Sequence, residues 1–239
     1  MRIITLLFLC LASSSCRKGF EELNQNPNVT TTVDPNALFA YAQFRYHTDY
    51  LNGVRTEIWG LNNWMQVQAS INGTSSAGNE YFMSGDAINN TWSLMYADVL
   101  GNIEEAMRLT KDDPINVNKY NTYRIYRAYI YHRLTDLWDN IPYTAAHNTI
   151  NAENTPDLSP EYDPQSIVYQ DLINELRSAV SGFDQSRPDV GAQDWIYHGD
   201  VDKWIRFANS LTLRLALRIS DKVPTIALPV IQQLTTENR

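Results

Sequence analysis

Cysteine is nearly absent from this chain. Its 239 residues include only Cys10 and Cys16, and both lie at the N-terminus. Beyond residue 16 the chain therefore has no means of forming a disulfide or a cysteine-based zinc site. A small extracellular fold held together by disulfides is excluded for the same reason.

Basic residues are also few. The chain has 19 lysines and arginines against 27 aspartates and glutamates, which gives a formal net charge of -8. Binding to nucleic acid or to an anionic membrane surface requires a basic patch, so neither role is expected. No two of the four histidines are three or four residues apart, so no helical metal-binding pair is expected among His47, His132, His147 and His198.

Patterns that mark catalytic sites are missing as well. The sequence has no nucleophile elbow, no phosphate-binding loop with its lysine and no dinucleotide-binding glycine pattern. Its paired carboxylates are direct neighbours, as in Glu104-Glu105 and Asp112-Asp113. Neighbours on a helix point about 100° apart, so they do not face each other across a substrate bond. We therefore expect no enzymatic activity, no cofactor and no metal site.

The chain begins with a pattern typical of secretion. Arg2 precedes a largely apolar run from Ile3 to Ala12, which is followed by three serines and Cys16. Ten residues span about 15 Å as a helix, half of a bilayer, so residues 1–15 are predicted to be a signal peptide and not a membrane span. A cysteine directly after small residues is typical of a bacterial lipoprotein, and Cys16 is predicted to carry the lipid. An ordinary signal peptide with an incidental cysteine is the alternative.

The segment after Cys16 is rich in asparagine, proline and threonine. Such a composition predicts an extended tether over residues 16–36, leading from the lipid to a folded body over residues 37–239. Asp34 followed by Pro35 is typical of a helix N-terminus, with the aspartate as the capping residue.

Apolar residues recur at helical spacing along most of the body. The spacing predicts six helices and a weaker final one after Pro224, the six having approximate bounds of 35–50, 54–70, 89–110, 118–136, 164–182 and 201–220. In the helix over 118–136, Arg124 and Arg127 are predicted to face outward. No run alternates with period two, so the predicted fold class is all-α. Successive pairs of long helices favour stacked hairpins of the tetratricopeptide kind, forming an α/α superhelix with long irregular loops.

Rings and amides concentrate between residues 59 and 96. Flat rings stack on the apolar faces of sugars or on peptide planes, and amides exchange hydrogen bonds with hydroxyl groups. Trp92 and Tyr96, four residues apart on a predicted helix, are interpreted as core. The remaining rings and one amide are the predicted ligand-binding residues, namely Trp59, Trp64, Asn72, Tyr81 and Phe82.

Four segments, taken in order, resemble the SusD/RagB family of outer-membrane nutrient-binding lipoproteins. They read CRKGFEELNQNPN from Cys16, DLWDNIPYT from Asp136, YDPQSIVY from Tyr162 and DWIYHGDVDKW from Asp194, the last continuing as RFANSL from Arg206 and RLA from Arg214. The Asn-x-Asn-Pro motif formed by Asn24, Asn26 and Pro27 is most similar to the SusD-like branch of the family.

The resemblance implies a helical protein built on tetratricopeptide-like hairpins. It also implies a lipid anchor in the outer membrane, with the body facing the cell exterior. The expected ligand is an oligosaccharide or a peptide, and the expected partner is a TonB-dependent SusC-like transporter that receives it. Family members bind without catalysis. They are much longer than this chain, so residues 37–239 are expected to be the N-terminal part of the domain, with its C-terminal half missing.

Two other functions remain open at this point. One is a helical-repeat scaffold that only docks a protein partner and has no ligand site of its own, since long helical hairpins commonly bind proteins. The other is a glycosidase or peptidase. Affinity for a soluble oligosaccharide or peptide in the absence of the transporter would distinguish a nutrient-binding protein from a scaffold.

Overall fold

The structure is a computed structural model that describes residues 33–48, 60–67, 69, 81, 85–147 and 159–236. Residues Asp34–Arg239 form one unit, and Met1–Val33 form another. The signal peptide, Cys16 and the tether as far as residue 32 lie outside the described residues. The division of the chain at residues 15 and 36 therefore stays a prediction.

Seven helices account for most of the described residues. Their bounds are α1 Pro35–Thr48, α2 Gly85–Ser93, α3 Gly101–Thr110, α4 Val117–Trp138, α5 Gln165–Ser181, α6 Val201–Ile219 and α7 Pro224–Thr236. A π-helical stretch, Leu94–Leu100, joins α2 to α3 without a break. Within the described ranges the only β-type pairing is an isolated bridge between Ile141 and Asp163. The prediction of an all-α fold is confirmed.

Side-chain and backbone caps set several helix ends where the sequence predicts them. The Asp34 carboxylate accepts a hydrogen bond from the Asn36 N–H at 2.9 Å. Asp200 accepts one from the Lys203 N–H at 3.0 Å at the start of α6. Gly182 ends α5 by donating its N–H to the carbonyls of Ser178 and Ala179. These contacts satisfy backbone groups that a helix end otherwise leaves unpaired.

The helix predicted over residues 54–70 is wrong in its second half. In the described residues 60–67, the helical backbone ends with the α-helical turn Asn62–Trp64, and the chain then turns away. Gln66 has a φ of 57°, in the left-handed region that an α-helix does not use. Residues 54–59 lie outside the described part of the chain. Helix α2 begins at Gly85, four residues before the predicted start of the helix over 89–110.

The last helix forms despite its two prolines. Pro224 is its first residue, a position where the missing N–H has no intrahelical partner in any case. Pro229 lies inside α7 and removes one backbone hydrogen bond there. Ala227 and Val230 are buried, so packing of one face offsets the loss.

Helices that are near each other in chain order pack together. Helix α1 contacts α3, α3 contacts α4, and α4 contacts α5, followed by α5 with α6 and α6 with α7. At the centre the rings of Phe39 (α1), Tyr123 and Tyr126 (α4), and Trp204 (α6) are fully buried. The Phe39 centroid lies 4.8 Å from that of Tyr123, 5.4 Å from that of Tyr126 and 6.2 Å from that of Trp204. This arrangement joins the first, fourth and sixth helices in one core.

A buried carboxylate connects the same helices. Asp194 is fully buried, and its side chain accepts four hydrogen bonds. Gln43 Nε2 and the Ile196 N–H bind Oδ1 at 3.0 Å, whereas the Gly199 N–H binds Oδ2 at 3.0 Å. Trp204 Nε1 completes the set at 2.7 Å from Oδ2. The fourth segment of the sequence resemblance is therefore a structural clamp between α1 and α6.

Two arginines of α4 do not face outward as predicted. Arg124 donates to both carboxylate oxygens of Glu175 on α5 at 2.9 Å, and Arg127 binds Glu104 on α3. All four side chains are largely buried. Because each arginine is paired with a glutamate, α4 can direct charged side chains toward both neighbouring helices. The spacing of apolar residues alone did not indicate these pairs.

We expect Asp194→Asn to destabilise the protein strongly. An asparagine has one acceptor oxygen, so two of the four buried donors lose their acceptor. Each unsatisfied buried donor costs about 1–3 kcal/mol, and the unfolding free energy should fall by about 2–6 kcal/mol. Urea denaturation followed by circular dichroism measures the loss. The exposed Asp221→Asn is the matched control, and an equal effect of the two variants would contradict the assigned role of Asp194.

Gly199→Ala should also destabilise the protein. Gly199 has a φ of +80°, and an added Cβ would lie 2.5 Å from Asp189 Oδ1 and 2.6 Å from the Gly191 nitrogen. The expected cost is about 1–3 kcal/mol. Gly85→Ala is the control, because a Cβ at that position meets nothing within 4 Å. Thermal melts should show a lower midpoint for the first variant and an unchanged or slightly higher one for the second.

Candidate functional site

Two of the five predicted ligand-binding residues lie in the described part of the chain, namely Trp64 and Tyr81. The other three, Trp59, Asn72 and Phe82, lie outside it, as does the predicted lipidation site Cys16. Their roles stay predictions.

Tyr81 is an exposed ring with a defined hydrogen bond. Its side chain is 63% exposed, and its phenol oxygen accepts a hydrogen bond from Gln66 Nε2 at 3.1 Å. Both residues have a φ of 57°, although neither is a glycine. Such backbone conformations are uncommon, cost free energy and concentrate at functional sites. Here two left-handed residues, fifteen positions apart in sequence, are joined through their side chains.

Trp64 lies two residues before Gln66 and is the last residue of the α-helical turn Asn62–Trp64. Its side chain is partly buried, and its indole Nε1 is shielded from water without a hydrogen-bond partner among the described residues. The two residues that flank Gln66 are exposed and apolar: Met65 is 74% exposed and Val67 is 72% exposed. We call these five residues the Tyr81 surface: Trp64, Met65, Gln66, Val67 and Tyr81.

The Tyr81 surface has the chemistry of a site for an uncharged ligand. It offers one exposed ring, two apolar side chains and one amide, and none of its five residues carries a formal charge. A ring face can stack on the apolar face of a sugar, and an amide can both donate to and accept from a hydroxyl group. The structure thus joins Tyr81 to the amide of Gln66, which is not among the five predicted ligand-binding residues.

Trp92 and Tyr96 pack against the core, as interpreted from their spacing. Their ring centroids are 4.6 Å apart, and Trp92 meets Trp138 edge to face at 5.2 Å. The Tyr96 hydroxyl donates to the Pro142 carbonyl at 2.7 Å, and burial raises the pKa of this phenol well above its usual value. Tyr162 stacks on Trp92 with 15° between the ring planes and is itself exposed. Tyr162 lies in the third segment of the family resemblance, but nothing in its sequence position marks it as an exposed ring.

The described residues include no group of three or more histidine, cysteine or acidic side chains that could hold a metal ion. Among them, no helix is both long enough and apolar enough to cross a bilayer.

Residues 27–239 match a SusD-like family model described as "Starch-binding associating with outer membrane". Among solved structures, the Bacteroidetes AC2a SusD-like protein is 29% identical with a TM-score of 0.75, over 85% of this chain and 37% of that one. A chitin-binding protein is 24% identical with a TM-score of 0.76, over 85% of this chain and 43% of that one. A SusD homologue from Parabacteroides distasonis is 23% identical with a TM-score of 0.72, over 84% and 38% of the two chains.

The last two similarities, below 25% identity, show the fold alone. In all three, the chain spans less than half the length of the structure it matches. No protein with a curated description matches this chain.

The structure predicts that two tyrosines respond differently to truncation. Tyr81→Ala should leave the unfolding free energy within about 0.5 kcal/mol of the parent, as is usual for a surface side chain. Tyr96→Ala should lower it by about 2–4 kcal/mol, because a packed ring and a buried hydrogen bond are lost. Urea denaturation measures both. A large loss for Tyr81→Ala would show that its ring is a core element, and the Tyr81 surface would then have no free ring to bind with.

Proposed function

Because the chain belongs to the SusD-like family described as starch-binding and associating with the outer membrane, we propose that it binds a neutral oligosaccharide through the Tyr81 surface. In this proposal the protein is anchored to the outer membrane by lipid on Cys16 and faces the cell exterior. It delivers its ligand to a TonB-dependent SusC-like transporter. The observation that carries the proposal is the exposed Tyr81 ring, held by Gln66 beside Met65 and Val67.

The geometry favours stacking over ion pairing. Tyr81 supplies the ring, and its bond to Gln66 restricts the side chain before a ligand arrives. Less conformational freedom is then lost on binding, which favours affinity. A surface this small buries little area, so each contact is expected to be weak. Affinity would come from several sugar units, or from several proteins on one polymer chain.

Binding without bond cleavage is part of the proposal. General acid–base catalysis at neutral pH needs groups such as carboxylates or imidazoles at the substrate. The Tyr81 surface has none, since its polar groups are an amide, a phenol and an indole N–H. Those groups can bind and orient a sugar, but they do not transfer a proton to a glycosidic oxygen near pH 7.

A scaffold that docks a protein partner is the second proposal, and a different surface supports it. Trp195 is 55% exposed and meets the ring edge of Phe44 at 5.8 Å, with the exposed Tyr41 also on α1. The Gln43 side chain holds the Trp195 backbone N–H at 2.8 Å. Exposed rings that are held in place are typical of protein interfaces.

The test of the first proposal is the affinity for neutral oligosaccharides measured by calorimetry. The full chain in mild detergent is titrated with maltoheptaose and with chitohexaose. Tyr81→Ala should weaken binding at least about tenfold, since 1.4 kcal/mol corresponds to a factor of ten and truncation of a central contact residue commonly costs more than 1 kcal/mol. Tyr41→Ala is the matched control, because Tyr41 is an exposed tyrosine (46%) outside the Tyr81 surface.

Equal affinities of the Tyr81 and Tyr41 variants would reject the Tyr81 surface as the site. Absence of binding to both sugars by the parent chain, together with capture of the transporter, would favour the docking scaffold. Trp195→Ala should then weaken the capture, whereas Tyr81→Ala should not.

A further inference from the structure

A cleft of about 720 Å³ lies between α3, α4 and the segment that follows α4. Its lining includes Gly101 and Met107 from α3, Tyr120 and Arg127 from α4, and Tyr143 and His147 beyond it. The volume is in the range of small-molecule sites. No residue of the Tyr81 surface lines this cleft, so any ligand here would occupy a separate site.

Steric crowding does not explain why residue 101, in the wall of the cleft, is a glycine. Gly101 follows directly on the π-helical stretch, inside a helical run from Gly85 to Thr110. An added Cβ would meet only the Tyr96 carbonyl oxygen, at an ordinary contact distance of 3.5 Å. Glycine is the least favourable residue in a helix interior apart from proline. One established use for it is to let a ligand approach the backbone closely.

The π-helical stretch is a second feature of the same wall. The Gly101 N–H donates to the carbonyl of Tyr96, five residues earlier, where an α-helix would use the residue four earlier. Such insertions weaken a helix locally and occur frequently at functional sites. Tyr96 also binds the Pro142 carbonyl through its hydroxyl. The irregular part of the helix is thereby joined to the segment after α4, whose residues Tyr143 and His147 also line the cleft.

Most charges in the lining neutralise each other. Arg127 binds Glu104, and Arg108 binds both carboxylate oxygens of Glu105 at 2.6 Å. The guanidinium carbon of Arg127 lies 5.6 Å from the Tyr143 ring centroid. A guanidinium has five N–H donors and a carboxylate has about four acceptor sites, so each pair keeps hydrogen-bonding capacity for a ligand. Lys111 is the remaining cation of the lining.

His147 adds a polar group without a charge. Its Nε2 is buried and has no hydrogen-bond partner among the described residues. Burial lowers the pKa of the imidazole below its usual value, so the ring is neutral near pH 7. A buried polar atom of this kind favours a ligand that can hydrogen-bond to it. Tyr120 and Met107 also line the cleft.

From these features we infer that the cleft is a second binding site, which takes part of a neutral oligosaccharide and is separate from the Tyr81 surface. Hydroxyl groups both donate and accept, which suits the Glu104–Arg127 and Glu105–Arg108 pairs. The cleft volume and the absence of a side chain on Gly101 leave room for a sugar ring. A charged ligand would have to compete with pairs that are already formed. The inference rests on the proposed function for its ligand class but on different residues for its site.

Gly101 offers a test that changes the cleft and little else. Gly101→Trp should place a ring in the cleft, and Gly101→Ala, its matched control, should fill almost none of it. In calorimetric titrations of the full chain with maltoheptaose and chitohexaose, the parent should bind at two sites. Gly101→Ala should keep both sites, and Gly101→Trp should lose one, with affinity there reduced at least tenfold. Tyr81→Ala should lose the other.

Equal binding by Gly101→Trp and the parent overturns the cleft as a site. If Tyr81→Ala alone then abolishes binding, the proposed function stands without the second site. If neither sugar binds the cleft but hexagalacturonate does, and Lys111→Gln removes that binding, the cleft is an anion site and the inference of a neutral ligand is wrong. Should Gly101→Trp fail to fold, Gly101→Leu and His147→Gln replace it, with the same expected loss of one site.

Discussion

The Asp194 carboxylate is the interaction on which the described structure most depends. It is fully buried, and its donors come from α1, from the turn at residues 196–199 and from α6. A carboxylate without these partners would be costly to bury, so the clamp forms only when all three segments are in place. Gly199 is required for the same geometry, because any side chain there would strike Asp189 and Gly191. The clamp thus joins the first helix to the sixth across more than 150 residues.

The aromatic residues of the described structure occupy three environments: the core, its edge and the exposed surface. Phe39, Tyr126 and Trp204 fill the core, and Trp92 and Tyr96 pack at its edge. Tyr81 is left outside, with an amide to hold it. The buried arginines of α4 are also paired, Arg124 with Glu175 and Arg127 with Glu104. An exposed ring beside an uncharged amide suits the neutral, hydroxyl-rich ligand that we propose.

The sequence predicted the features that depend on local periodicity and caps. Helix α5, Gln165–Ser181, and helix α6, Val201–Ile219, lie within one residue of their predicted bounds. The sequence did not predict the turn after Trp64, because the left-handed φ of Gln66 depends on contacts distant in sequence.

Arg127 was predicted on the wrong face of its helix for a similar reason. A charged residue usually marks a solvated face, and the partner of Arg127, Glu104, lies on another helix. Tyr81 was predicted as a ligand-binding residue, but its hydrogen-bond partner Gln66 was not. The sequence does not mark Gly101 as unusual, because only the structure shows how much space surrounds it.

The most direct test of the account is hydrogen exchange of the full chain with and without maltoheptaose, read by mass spectrometry. A rigid clamp carrying an exposed binding surface predicts that amides at residues 194–204 exchange slowest and do not respond to ligand. Peptides that cover residues 64–67 and 81 should gain protection when the sugar is added. Rapid exchange at residues 194–204, or protection that leaves residues 64–67 and 81 unchanged, would contradict it.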